Sequence, residues 1–219
     1  FDLETFKFTP DKRGYVDHGR AFYAPNTLYD DKGRWIEWGW IRGYPAGLGW
    51  NGCLTLPRIL SIDDKGHLAQ RPAPELAELR GDMKLFSKAD LAAASPALDW
   101  KGDAAVELEL RWKGASTPSG GIKILDAETG NTITYVAWEK NRLTAGDADG
   151  VLRPARDLSS RSLRIFLDRS VLEVYSDTGE CWTSLIPYES GAVKLAPVMG
   201  QEESSGLSEV ALWELASIW

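Results

Sequence analysis

Apolar and polar positions alternate over much of this chain. In 104–112 (AAVELELRW), Val106, Leu108, Leu110 and Trp112 fall on one side and Glu107, Glu109 and Arg111 on the other. That period of two predicts a half-buried β-strand. Ile122 and Ile124 repeat the pattern in 120–126, and 131–138 (NTITYVAW) is rich in β-branched and aromatic residues. The run 128–131 between them reads as a hairpin turn. Residues 163–167 (LRIFL) and 171–175 (VLEVY) flank the tight reversal Asp168-Arg169-Ser170, and 181–187 follows Asp177-Thr178-Gly179. The segment 207–219 reads as a closing strand with Val210 and Leu212 buried. Short strands at intervals of about 8–12 residues, punctuated by Gly, Asp and Asn turns, predict an antiparallel sandwich.

The first eighty or so residues form a different unit. Residues 22–29 and 34–41 read as strands around Asp30-Asp31-Lys32-Gly33, and a Gly- and Pro-rich loop runs from Gly43 to Gly52. Residues 53–62 and 66–71 then pair around Asp63-Asp64-Lys65, completing about one four-stranded antiparallel sheet. A helical turn is expected over 75–80, and the Ala- and Ser-rich stretch 87–97 marks a junction. The division is therefore placed near residue 85, giving 1–85 and 86–219. A lone four-stranded sheet leaves its edges unpaired and its faces largely uncovered. Such a unit is comfortable as one blade of a β-propeller, where neighbouring blades cover it. Eighty-five residues cannot build a whole propeller. The chain also starts at Phe1 with no basic-then-apolar leader, so it is expected to be a processed product, a subclone or a fragment.

Charge and composition narrow the partners. With 25 Lys+Arg against 32 Asp+Glu the net charge is -7, the wrong sign for a nucleic acid or an anionic membrane. No apolar run approaches the roughly 18 residues of a membrane span, so a soluble protein is expected, secreted or cytoplasmic. Cys53 and Cys181 stand far apart, and His18 and His67 are the only histidines. Neither metal-ligand spacing nor a disulfide framework results, and no metal or cofactor is expected. Ten tryptophans are unusual in such a chain. Indoles fill cores, and they also form flat platforms for the C–H faces of sugars.

Several ordered motifs then carry a resemblance. Asp17-His18-Gly19 leading to Phe22-Tyr23-Ala24-Pro25 resembles the D-x-G…FYA stretch of glycoside hydrolase family 32, the invertases, levanases, inulinases and fructan exohydrolases. Trp38-Gly39-Trp40, Gly49-Trp50-Asn51-Gly52 and Leu54-Thr55-Leu56-Pro57-Arg58 are similar to that family's GW, GW(A/N)G and LPR(E) motifs, in order. Ile59 stands where the usual Glu would follow. Residues 68–72 and 75–80 resemble the family's L-x-Q-x-P…EL-x-x-LR connector, and Leu163 to Glu180 its D-R-S-x-x-E-V-F-x-N-x-G-E hairpin, with Asp177 replacing Asn.

The resemblance implies an all-β fold, the last blade or blades of a five-bladed propeller followed by a C-terminal antiparallel β-sandwich. It implies retaining hydrolysis of fructosyl linkages in sucrose, levan or inulin. An Asp nucleophile and a Glu acid, about 5–5.5 Å apart, perform it. The family's motifs for the nucleophile (N-D-P-N-G), the acid/base (E-C in the propeller) and the transition-state carboxylate (R-D-P) do not occur here. Glu180-Cys181 is an E-C dipeptide, but it lies in the sandwich hairpin. No catalytic residue is therefore assigned.

Four residues are candidates for substrate binding. Trp40 matches the family tryptophan that lines the fructosyl pocket, against the alternative of a buried strand Trp. Asp17 could accept a hydrogen bond from a sugar hydroxyl, or serve an Asp-x-Gly turn. Tyr23 faces either the pocket or blade packing, and Trp50 either stacks on an outer sugar or pins its loop. Asp168 and Glu173 read as structural in the hairpin, and the run from Arg153 to Arg164 as scattered surface charge. The expected partners are a fructose-containing saccharide and an N-terminal propeller portion or another copy of the chain. A non-catalytic fructan-binding or scaffold sandwich is the alternative, and an enzyme using Asp17 and Glu37 as its two acids is a third reading.

Overall fold

The computed structural model describes residues 2–94, 97–114, 117–139, 142–146, 158–186, 188, 191–198, 200 and 206–217. Their strands form three antiparallel sheets. The first contains β1 (Phe22–Tyr29), β2 (Trp35–Ile41), β3 (Cys53–Leu54), β4 (Arg58–Ile62) and β5 (Leu68–Pro72), in the order β1-β2-β4-β5 with β3 beside β2. The single strand expected over 53–62 is broken at Thr55–Pro57. Pro57 has no N–H to give to a ladder, and Thr55 turns back to bond Gly39 through both its N–H and its Oγ1. The 3-10 turn Pro74–Leu79 occupies the segment read as helical. Its Glu75 is held by Arg34 and Lys32 of the β1–β2 hairpin, and these hydrogen bonds bring its carboxyl down to about 2.

The chain then crosses into the second unit. Strand β6 (Arg80–Ser87) is followed by α1 (Lys88–Ala93), started by a capping box between Ser87 and Asp90. The remaining strands are β7 (Lys101–Asp103), β8 (Ala105–Trp112), β9 (Gly120–Asp126), β10 (Thr132–Glu139), β11 (Arg142–Gly146), β12 (Ser162–Asp168), β13 (Val171–Ser176), β14 (Cys181–Leu185), β15 (Ala192–Val198) and β16 (Leu207–Leu215). They form a five-stranded sheet, β11-β10-β9-β15-β7, and a six-stranded sheet, β14-β13-β12-β8-β16-β6. Strands β6, β7, β11 and β15 had no clear sequence signature. β7 is three residues long, β15 carries Pro197, and β6 (RGDMKLFS), an edge strand among the described residues, shows no clean alternation of apolar and polar positions. Arg153 and Arg156 lie outside the described residues.

The two sheets enclose one core. Val106, Leu108 and Leu110 of β8 and Leu163, Ile165 and Leu167 of β12 meet Ile122, Ile124, Val136 and Trp138 from the facing sheet. The opposite face of β8 was expected to be polar and solvated. Instead Glu107 is fully buried there, clamped by Arg80 at 2.6 Å and Arg164 at 2.7 Å. On that face Phe166, Tyr175 and Cys181 pack against Leu56 and Leu76 of the first unit and against Leu215 of β16. The six-stranded sheet is thus the middle layer of the molecule, between its sandwich partner and the β1–β5 sheet.

Candidate functional site

Neighbouring residues of a strand point to opposite faces, and this separates the sequence-derived candidates. On β1, Phe22 points toward the sandwich, with the Arg58 guanidinium 4.8 Å from its ring centroid. Tyr23 points the other way. It stands directly across from Trp40 of β2, their rings 6.0 Å apart and edge to face, with the Arg42 guanidinium 4.6 Å over Tyr23. Leu54 of β3 continues the row beyond Trp40. Tyr23 is 49% exposed and Trp40 half-buried, so the pair presents an aromatic surface. The Trp40 indole lies against Gly52, where an added Cβ would come 1.7 Å from Nε1. Gly52, in the Gly-Trp-Asn-Gly motif, thereby makes room for the ring.

Trp50 stands in the loop between β2 and β3, 51% exposed, with its ring 4.5 Å from Tyr44 in an edge-to-face contact. The Tyr44 hydroxyl lies 3.4 Å from Cys53 Sγ and 3.3 Å from Ser170 Oγ at the β12–β13 turn. Burial, with the hydrogen bond to Cys53 second, pushes the Tyr44 phenol up to about 12. It stays a neutral hydrogen-bonding group at any working pH.

Asp17 lies on the other face, buried against the sandwich. Its Oδ1 accepts from the N–H of Gly19 (2.7 Å) and of Thr183 (3.0 Å). Its Oδ2 accepts from Arg58 Nη1 (2.8 Å) and Thr183 Oγ1 (2.7 Å). Arg58, 0% exposed, is the centre of this cluster. Its Nη2 donates to Glu173 Oε2 (2.8 Å) and to Thr183 Oγ1, its Nε to the Tyr175 hydroxyl (3.1 Å), and its Nη1 also to Gln70 Oε1 (3.3 Å). The Tyr175 hydroxyl donates to Glu173 Oε2 at 2.7 Å, and Glu173 Oε1 accepts from Leu56 N–H at 2.7 Å. Burial raises the Tyr175 phenol and the Cys181 thiol well above their ordinary values. Burial opposes the Arg58 charge, but the surrounding phenol, thiol and carboxylates hold it firmly protonated.

Glu37 completes the picture. It lies across from Arg58 in the β2–β4 register and is 4% exposed. Among the described residues its Oε2 has no hydrogen-bond partner. Burial raises its pKa, Arg58 lowers it by less, and Asp17 adds to the rise. As acids for chemistry, Asp17 and Glu37 are poorly placed: the first already accepts from Gly19, Thr183, Arg58 and Cys181, and both are shielded from solvent.

Sequence reasoning placed Arg58 in a motif without a role, and read Glu173 as structural without a partner. A signal existed: an arginine between Leu56-Pro57 and Ile59-Leu60 in a sheet strand needs buried acceptors. Thr183, Tyr175 and Gln70 carried no such signal. Among the described residues no group of three or more His, Cys, Asp or Glu is placed to hold a metal. No helix among them is long and apolar enough to cross a membrane.

A blade-like sheet locked edge and face to a β-sandwich defines an all-β protein of the propeller-plus-sandwich class. Residues 1–72 match the glycosyl hydrolases family 32 N-terminal domain. The chain is 28% identical over 215 residues to a raffinose invertase of Escherichia coli, covering 91% of this chain and 44% of that protein. It is 29% identical over 179 residues to a sucrose-6-phosphate hydrolase of Vibrio alginolyticus, covering 75% and 34%. Among solved structures, a glycoside hydrolase family 32 protein from Bifidobacterium adolescentis superposes with a TM-score of 0.71 at 20% identity, over 94% of this chain and 33% of that one. The exo-inulinase of Aspergillus awamori gives 0.68 at 20% identity, over 100% and 49%. Over most of its length the chain is thus similar to glycoside hydrolase family 32 proteins, and the match to the family's N-terminal domain lies in residues 1–72. The chain spans between about a third and under a half of the length of these curated relatives.

Proposed function

We propose that this chain is the C-terminal portion of a β-fructofuranosidase-like glycoside hydrolase acting on fructosyl linkages of the sucrose, levan or inulin type. It supplies a wall of the pocket and the sandwich, while the nucleophile and the acid/base come from propeller blades outside these 219 residues. In this reading the residues before β6 are propeller and the rest is sandwich, a division slightly ahead of the expected 1–85 and 86–219 because Arg80–Ser87 pairs with β16. Tyr23 and Trp40 form the sugar-facing surface and Trp50 flanks it. Asp17 approaches the same region only through the backbone that it anchors. The observation that carries the proposal is the Tyr23–Trp40 row: two aromatics from separate motifs meet across the β1–β2 hairpin on the sheet face turned away from the sandwich.

The test is complementation. The purified chain should hydrolyse neither sucrose, raffinose, inulin nor levan. Co-expression with an N-terminal piece bearing the N-D-P-N-G and propeller E-C motifs should restore turnover. Turnover by the chain alone would overturn the division of labour, and a soluble, co-purifying but inactive pair would overturn the assignment. Tight binding of inulin oligosaccharides by the lone chain, insensitive to Trp40→Ala, would favour the non-catalytic fructan-binding alternative.

A further inference from the structure

Residues 17–21 belong to the first unit in sequence yet run along the sandwich in space. His18 N–H donates to the Cys181 carbonyl at 2.9 Å and Ala21 N–H to the Thr183 carbonyl at 3.4 Å. The segment therefore adds a rung to β14, the edge strand of the six-stranded sheet. The approach is close enough that a Cβ on Gly19 would sit 1.9 Å from the Thr183 carbonyl oxygen. Residue 22, one step further, opens β1.

We infer that Arg58 is the positioning residue of this junction. By holding Asp17 and Glu173 at once, it sets the register of residues 17–21 on β14, and so fixes where β1 and Tyr23 stand relative to the sandwich. Arg58 belongs to β4 and Glu173 to β13, while Asp17 precedes β1. Three separated segments thus share one side chain. The geometry uses what only a guanidinium offers, five donors in a rigid planar fork directed at several acceptors. A lysine would bring a point charge and three donors on a flexible stem. Apolar residues could fill the same volume, and a buried ion cluster generally adds little net stability over them. Apolar packing, however, tolerates slippage of one layer over another. A saturated polar cluster accepts one arrangement, because any shift strands a buried charge. The backbone agrees: Asp17 Oδ1 takes the Thr183 amide, so the carboxylate itself is a rung of the ladder. This inference concerns how the two units are held and stands whether or not the proposed activity is right.

Amide hydrogen exchange on the full chain tests it, comparing wild type, Arg58→Lys and the charge-balanced triple variant R58M/D17N/E173Q. In both variants the amides of His18, Ala21 and Thr183 should exchange at least about tenfold faster, while those of Leu108, Ile124 and Ile165 keep wild-type protection. The triple variant removes the charges of Arg58, Asp17 and Glu173 together and guards against an Arg58→Lys protein that does not fold. Wild-type protection at residues 18, 21 and 183 in either variant would overturn the inference, because packing alone would then set the junction. So would equal acceleration throughout the chain in the triple variant, which would reduce Arg58 to a general contributor to stability.

Discussion

Arg58 shows how much a single residue can be asked to hold. Replacing it with Met leaves the Asp17 and Glu173 carboxylates buried without their cation. Removing one member of a buried ion cluster typically costs about 3–5 kcal/mol. In a chain of this length that lowers the thermal midpoint by about 6–20 °C. Calorimetry of Arg58→Met checks this, and a midpoint within a degree or two of wild type would contradict it. Glu37 makes the opposite prediction. Its carboxyl ionises near 4.5 when solvated and at higher pH in the fold, chiefly because burial disfavours its charge. Between those two values the folded state holds the extra proton, so stability falls as pH rises through the interval. Glu37→Gln removes that dependence. Its thermal midpoint should exceed wild type at pH 7.5, and the advantage should shrink toward pH 4. An advantage that is the same at both pH values would show that the ionised form is not what costs stability. The acidity of Asp17 was legible in the sequence, but its partner was not. Forty-one positions separate it from Arg58, and spacing alone does not say that two strands will meet.

At the scale of elements, the interface is built by small exceptions to strand regularity. The Thr55–Pro57 break takes the chain out of the sheet and lets the Leu56 amide reach Glu173. Gly19 permits residues 17–21 to lie against β14, and Gly19→Ala should cost about 1–3 kcal/mol by overpacking. Chemical denaturation measures it, and a neutral result would mean that the segment can lift off β14 freely. The alternation of β8 correctly identified its inward apolar residues. It misjudged Glu107, because period two distinguishes the faces of a strand without saying whether the polar face meets water or another layer. The tryptophans divide similarly. Trp100, Trp112, Trp138 and Trp182 are core, Trp35 and Trp50 are exposed, and Trp213 lies beneath the Arg80 guanidinium at 4.1 Å. Composition counted them without sorting them.

For the whole molecule, the β1–β5 sheet is asymmetric. The sandwich covers one face only around Glu37 and Arg58, and large apolar groups elsewhere on the sheet remain open: Trp35 is 53% exposed, and Leu54 and Ile62 are each 68% exposed. Apolar area of this kind marks an interaction surface. The lone chain is accordingly expected to bind a hydrophobic dye and to self-associate with rising concentration, and a co-expressed N-terminal portion should suppress both. Dye binding unchanged in the complex would place the partner elsewhere. In that reconstituted enzyme, Trp40→Ala should raise KM by about 5–30-fold, the equivalent of one or two kcal/mol. A KM unchanged by that substitution would remove Trp40 from the sugar surface.

Most strands, the sandwich, the blade-like first unit and the family resemblance were legible in local periodicity, turn chemistry and short motifs, whereas β6, β7, β11 and β15 were not. Only the tertiary structure decided what the motif residues face. It sent Tyr23 and Trp40 to an open aromatic surface and drew Asp17 to Arg58, Glu173 and Thr183 in a closed polar cluster. The reason is geometric: which face of a strand is covered, and by what, depends on segments more than a hundred positions away in the chain.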